Sequence, residues 1–247
     1  MTDRDEPSAA EPFVWRGILD PAPVREEVVA ASHRLADAAK TADWSTVFDL
    51  LDDPGQLVDI NWWRPGGPAW FTVLHQAAWH GAPAEVAAEL IRGGALRSLR
   101  DSRGRTAHDI RCQRDLTVGR AKGVAAQQHK SLALRERYLK PPPAPLTPAT
   151  IRTLDHHLAE VINGRIRDAF YEGRDPQQVL RYPPVDILHE VPGHRLWFPV
   201  PGMYGGFDIT LIDDLLNVKS WCRIVGGSGQ EHLITTAGAI LVADGLR

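Results

Sequence analysis

Three histidines in the C-terminal half carry the residue types for metal or acid–base chemistry. His189-Glu190-Val191-Pro192-Gly193-His194 has a histidine at each end and a carboxylate beside the first. A helical zinc-binding pair needs two residues between the glutamate and the second histidine, so that both imidazoles share a face. Here three intervene, and Pro192-Gly193 interrupts a helix. A hairpin is expected instead, turning at Pro192-Gly193, with Glu190 opposite Arg195 and with His189 and His194 diagonal on one face. His232, in a later strand, is the third candidate. A catalytic site would rest on His189, His194 and His232; no cofactor is otherwise expected, although these three leave room for a divalent metal.

The remaining candidates carry less. Gly226-Gly227-Ser228-Gly229 lacks a following helix and a phosphate-binding lysine, so it reads as a loop between strands. Ser228 has His232 nearby but no strained turn around it to make it a nucleophile. His156-His157 are adjacent on a helix, where neighbours do not share a face, so at most one is expected to be a ligand. Cys112 and Cys222 lie in different halves and imply neither a disulfide framework nor a cysteine-based zinc site.

A second kind of chemistry, that of binding, is concentrated in Trp62-Trp63-Arg64-Pro65-Gly66-Gly67-Pro68-Ala69-Trp70-Phe71. Tryptophan and arginine dominate binding hot spots, and a solvated turn does not need three tryptophans. Trp62, Trp63, Arg64 and Trp70, with Trp79 on the next helix, are the candidate binding residues. The bland alternative is a satellite cluster packed under a long loop.

The elements that would position these residues can be read from the periodicity. Thr72-Val73-Leu74-His75-Gln76-Ala77-Ala78-Trp79-His80-Gly81-Ala82 is followed by a Val86, Leu90, Ile91 stripe and by Gly93-Gly94. Thr72 can cap a helix, Leu74, Ala77 and Ala78 fall on one face, and Gly81 suits a left-handed helix end. This pattern resembles one ankyrin repeat. Thr106 falls 34 residues after Thr72, and Asp101 to Ile110 resembles the opening of the next repeat, with Asp109 in place of the histidine. Val28 to Ala39 and Trp44 to Leu51 resemble a degenerate first repeat. The resemblance implies a solenoid of about three repeats and a protein or peptide partner.

The boundary is Pro141-Pro142-Pro143-Ala144-Pro145, which cannot continue a helix. Thr147 then caps a helix with Pro148 at its first position, and Ile151, Leu154, Leu158, Val161, Ile162 and Ile166 carry it towards Tyr171. After Pro183-Pro184 the period is two. Asp213-Asp214 is expected to turn a hairpin in which Ile212 faces Leu215 and Asp208 faces Lys219. Phe207, Ile209 and Leu211 then share a buried face with Leu216, Val218 and Cys222. Phe198 to Phe207 and Ser220 to His232 also resemble a C-terminal module of actinobacterial ankyrin-repeat proteins, a likeness that implies no activity.

The expected fold class is α+β: an N-terminal ankyrin solenoid, then a long helix and an antiparallel meander of five or six strands. The expected divisions are a disordered tail over 1–12, repeats over 13–140, a linker over 141–147 and the helix–sheet domain over 148–247. Phe13-Val14-Trp15 is expected to dock on the first helix, and a capping helix is expected over Val118 to Leu139. A net charge of -3 and the lack of a basic stripe argue against nucleic acid. No apolar run is long enough for a membrane span or a signal peptide, so a cytoplasmic protein is expected, and the arginine-rich, lysine-poor composition suits a bacterial source. Two functions remain open: a protein- or peptide-binding protein, or a tailoring enzyme with its site in the C-terminal sheet and the repeats holding the substrate.

Overall fold

The computed structural model describes residues 11–55, 57–119, 132, 134–166, 175–222 and 228–245. The class is α+β, with helices and a six-stranded, mostly antiparallel sheet. The chain forms two compact units. A helical unit comprises Gly17–Pro145 with Asp175–Ile187, and a sheet unit comprises Met1–Arg16, Leu146–Arg174 and Leu188–Arg247. Residues 1–10 of the expected tail, most of the expected capping helix and the stretch from 167 to Tyr171 lie outside the described residues.

The helical unit begins with α1 (Glu26–Lys40) and α2 (Trp44–Asp52), continues with α3 (Val73–His80) and α4 (Ala84–Arg92), and adds α5 (Ala107–Gly119). Asp43 starts α2 by accepting from the Thr46 backbone N–H at 3.2 Å. Gly81 ends α3 in the left-handed region at φ 65°, a conformation in which a Cβ would be strained. The core gathers Leu35, Val47, Leu74, Ala77, Ala78, Leu90 and Ile110, joined by Leu134 and Leu139 of a π-helical turn. Small residues at 77 and 78 let α3 lie close to its neighbours.

Two reciprocal caps stand 34 residues apart. The Thr72 backbone N–H donates to His75 Nδ1 at 3.2 Å, and the Thr72 hydroxyl lies 2.8 Å from the same nitrogen. Before α5, Thr106 N–H donates to Asp109 at 3.0 Å while Asp109 N–H donates to Thr106 Oγ1 at 3.2 Å. The aspartate performs the acceptor role of the histidine. A second link runs along the same direction: Asn61 donates to the Gly94 carbonyl and accepts from Leu96 N–H, both at 2.8 Å.

In the sheet unit, α6 (Pro148–Ile166) buries Leu154, Leu158, Val161, Ile162 and Ile166. Thr147 caps it by accepting from Thr150 N–H at 3.1 Å. The strands are β1 (Phe13–Val14), β2 (Arg195–Val200), β3 (Gly205–Ile212), β4 (Leu215–Cys222), β5 (Gly229–Thr235) and β6 (Gly238–Asp244), in that spatial order. Ile212 pairs with Leu215 and Asp208 with Lys219, the register read from the alternation. Gly206 sits opposite Trp221, and a Cβ there would come within 2.9 Å of the Trp197 ring. The missing side chain leaves room for Trp197 and Trp221 to stack at 4.5 Å on the outer face.

Two expectations are corrected. Phe13-Val14, expected as an apolar anchor on the first helix, forms a strand that pairs in parallel with Leu196 and Trp197 of β2. The hairpin at Pro192-Gly193 does not form: Val185–Ile187 and Pro192–His194 are short 3-10 turns, and the first strand here starts at Arg195. Gly193 and His194 both have positive φ, 61° and 52°, which takes the chain out of strand geometry before β2. Arg195 forms its two-pronged ion pair with Asp208 across β2 and β3, not with Glu190.

Candidate binding surface

The aromatic insertion turns largely inward. Trp62 and Trp63 are buried, and Trp62 Nε1 donates to the Ile18 carbonyl at 3.3 Å. Trp63 and Trp70 approach at 6.1 Å, and the Arg181 guanidinium lies 5.0 Å from one ring and 4.9 Å from the other. Arg181 also donates to the Arg100 carbonyl at 2.7 Å. Burial pushes the Arg181 pKa down to about 10, with Asp101 opposing, so at neutral pH it stays charged and the ring faces replace part of its lost hydration. Arg64 is exposed and paired with Asp37. Three of the five residues singled out in sequence, Trp62, Trp63 and Trp70, thus pack within the helical unit, while Arg64 stays at the surface. Arg181, which completes the cluster, carried no local signal.

Trp79 is different. It stays 39% exposed at the end of α3. Phe71, His75 and Trp79 recur every four residues, so their rings make one stripe: Phe71 stacks on His75 at 5.6 Å and meets Trp79 edge-on at 6.4 Å. Arginines of α5 and of the segment just before it cover the stripe. The Arg114 guanidinium sits 4.3 Å above Trp79, and that of Arg105 sits 6.0 Å above Phe71. Arg105 is committed to Asp101, at 2.7 and 2.9 Å, and to Gln113 at 2.8 Å. Burial raises the Asp101 pKa, but the Arg105 backbone and side chain and the Arg103 N–H together hold it below the usual carboxylate value. Arg111 is held by Asp115 at 2.7 Å. Arg114 has no carboxylate within ion-pair distance among the described residues. The sequence reading missed it; its place 35 residues after Trp79, against 34 between Thr72 and Thr106, was the available signal.

His189, His194 and His232 do not assemble. Among the described residues the one trio of histidine, cysteine or carboxylate groups with ligand atoms within 4.8 Å is His156, His157 and Glu160. His189 is half-buried in the turn before β2, with Nε2 lacking a hydrogen-bond partner among the described residues. His194 is exposed and its Nδ1 donates to the Leu188 carbonyl at 3.1 Å. His232 pairs with Val218 and Leu241 in the sheet. Burial and then Arg165 lower its pKa, with Asp244 opposing. Arg165 donates to Ser220 Oγ at 3.0 Å and to the Ser228 carbonyl at 2.9 Å, so Ser228 serves to anchor α6. Residues 223–227, which include Gly226 and Gly227 of the expected glycine loop, lie outside the described residues.

No family model and no curated protein sequence matches this chain. Among the described residues no helix is long and apolar enough to cross a membrane.

Proposed function

We propose that the helical unit is a short ankyrin-type solenoid that binds a protein or peptide over the surface formed by Phe71, Trp79 and Arg114. The recurring caps at Thr72–His75 and Thr106–Asp109 support the repeat reading. The observation that carries the binding reading is Arg114 stacked on a half-exposed Trp79 with no carboxylate partner among the described residues. A cation held on an indole face is ordered before a ligand arrives, which lowers the entropy cost of using it. The partner that fits has a carboxylate for Arg114 and an apolar side chain for the open part of Trp79. The bacterial cytoplasm is the setting this reading carries with it.

Peptides selected from a random display library against the full chain provide the test. Trp79→Ala and Arg114→Ala are each expected to weaken selected acidic peptides by about 2 kcal/mol, roughly thirtyfold in Kd by calorimetry. Trp221→Ala, an exposed tryptophan of the sheet unit, is expected to leave Kd unchanged. Binding that is indifferent to Trp79 and Arg114 would move the surface elsewhere.

A further inference from the structure

On α6, His156, His157 and Glu160 bring their ligand atoms to one place. The helix geometry explains how adjacent histidines manage this. With about 100° per residue, Glu160 stands at roughly 40° when His156 is at zero and His157 at roughly 100°. The carboxylate therefore rises between the two imidazoles and can meet one with each oxygen. His157 Nδ1 is 2.9 Å from Glu160 Oε2, and His156 Nε2 is 3.6 Å from Oε1. The two rings stand 5.3 Å apart. Neighbouring helical residues do not share a face, yet here both imidazoles reach Glu160, because long side chains lean towards a residue placed between them.

A tetrahedral zinc ion with bonds of about 2.0–2.1 Å spaces its ligand atoms about 3.3 Å apart. The two nitrogen–oxygen separations run to different carboxylate oxygens and lie on either side of that value, and one ligand atom from each residue lies within 4.8 Å of the others. The side chains have to draw together to admit an ion, which rotations of exposed His156 and Glu160 can supply. Imidazole nitrogen and carboxylate oxygen are suitable donors for zinc, and a carboxylate flanked by two imidazoles lowers the net charge of the bound ion.

We propose that His156, His157 and Glu160 form a zinc site with three protein ligands and an open fourth position. Three protein ligands plus water is the coordination of zinc sites that exchange a ligand, as opposed to closed structural ones. His156 and Glu160 are largely exposed, and His157 is the more enclosed of the three. The fourth position can take water or an oxygen or nitrogen donor from another molecule.

The test uses the untagged full chain, stripped of metal with a chelator and titrated with zinc in competition with a chromophoric chelator. One equivalent is expected to bind. Losing a ligand should cost at least what losing an outer-shell partner does, so His156→Ala, His157→Ala and Glu160→Gln are each expected to weaken binding by about tenfold or more. Cobalt substitution should give the visible absorption of a four-coordinate ion, lost in Glu160→Gln. A His189→Ala/His194→Ala double variant should bind as the parent does. If His157→Ala fails to fold, the exposed His156 and Glu160 variants still decide. Absence of saturable zinc binding, or parent-like binding by the His156 and Glu160 variants, would overturn the site and leave the trio as an ion-paired flank of the helix.

Discussion

Replacing Ala78 with glutamate is expected to abolish the cooperative unfolding transition of the helical unit. Ala78 is 0% exposed and stands on α3, which packs against α1, α4 and α5. The core cluster that holds Ala78, with Leu74, Ala77 and Leu90, is apolar, and the nearby Arg111, which donates to the Ala78 carbonyl at 3.4 Å, is already taken up by Asp115. A carboxyl group costs several kcal/mol to bury even after it takes up a proton, and its volume overfills a helix contact built from alanines. That loss is comparable with the whole stability of a typical domain, about 5–15 kcal/mol. Ala30→Glu places the same charge on the exposed side of α1 and is expected to change stability by no more than about 0.5 kcal/mol. Thermal unfolding followed by circular dichroism separates the two. A cooperative transition at the parent temperature in Ala78→Glu would mean that the small-residue face of α3 is not the packed one.

Legibility in the sequence followed the range of the forces involved. The Asp213-Asp214 hairpin was readable because a one-residue slip would turn Phe207, Ile209 and Leu211 out of the core, leaving one acceptable register. The helices were readable because each carries its own apolar stripe, and α2, α3, α5 and α6 a side-chain cap as well. The region before β2 was not. Apolar residues flank Pro192-Gly193 on both sides and mimic a hairpin, yet His194 adopts a left-handed backbone that a local pattern does not announce. The pairing of Phe13-Val14 with β2 was equally hidden, since two residues carry no period and their partner lies far along the chain.

The functional residues divide in the same way. Composition showed that the 62–71 insertion holds more aromatic surface than a turn needs. It did not show that Trp63 and Trp70 are taken up by Arg181, because that arginine arrives from a segment more than one hundred residues later. Trp79 was recognisable as a candidate, but its pairing with Arg114 depends on how α3 and α5 lie together. His156 and His157 were set aside by a rule about helix faces that considers two residues at a time. Adding Glu160, one turn on, changes the geometry.

Acid is expected to destabilise the helical unit through His75, by about 3 kcal/mol across the window from pH 6.5 to 4. The side chain is 1% exposed. Burial lowers its pKa from 6.5 to about 4, against Asp101 and the Arg105 carbonyl, which favour the charged ring. The hydrogen bonds assign the neutral tautomer. Nε2 lies 3.3 Å from the Arg105 carbonyl and donates to it, while Nδ1 accepts from the Thr72 backbone N–H. A proton on Nδ1 would point at that N–H, so the cap of α3 opens when the ring becomes charged. In the unfolded chain the histidine is protonated below its ordinary pKa. Between pH 6.5 and 4 the unfolded state therefore holds a proton that the folded state lacks, and stability falls as pH falls. Two and a half pKa units correspond to about 3 kcal/mol. His75→Asn keeps an acceptor for Thr72 and cannot titrate. It should be less stable than the parent at neutral pH and should lose less stability on acidification. Denaturant unfolding at pH 7 and pH 4.5 for both proteins isolates the effect, because the carboxylates that titrate near pH 4 are common to the two. Equal losses in parent and His75→Asn would show that the ring is protonated without disturbing the fold.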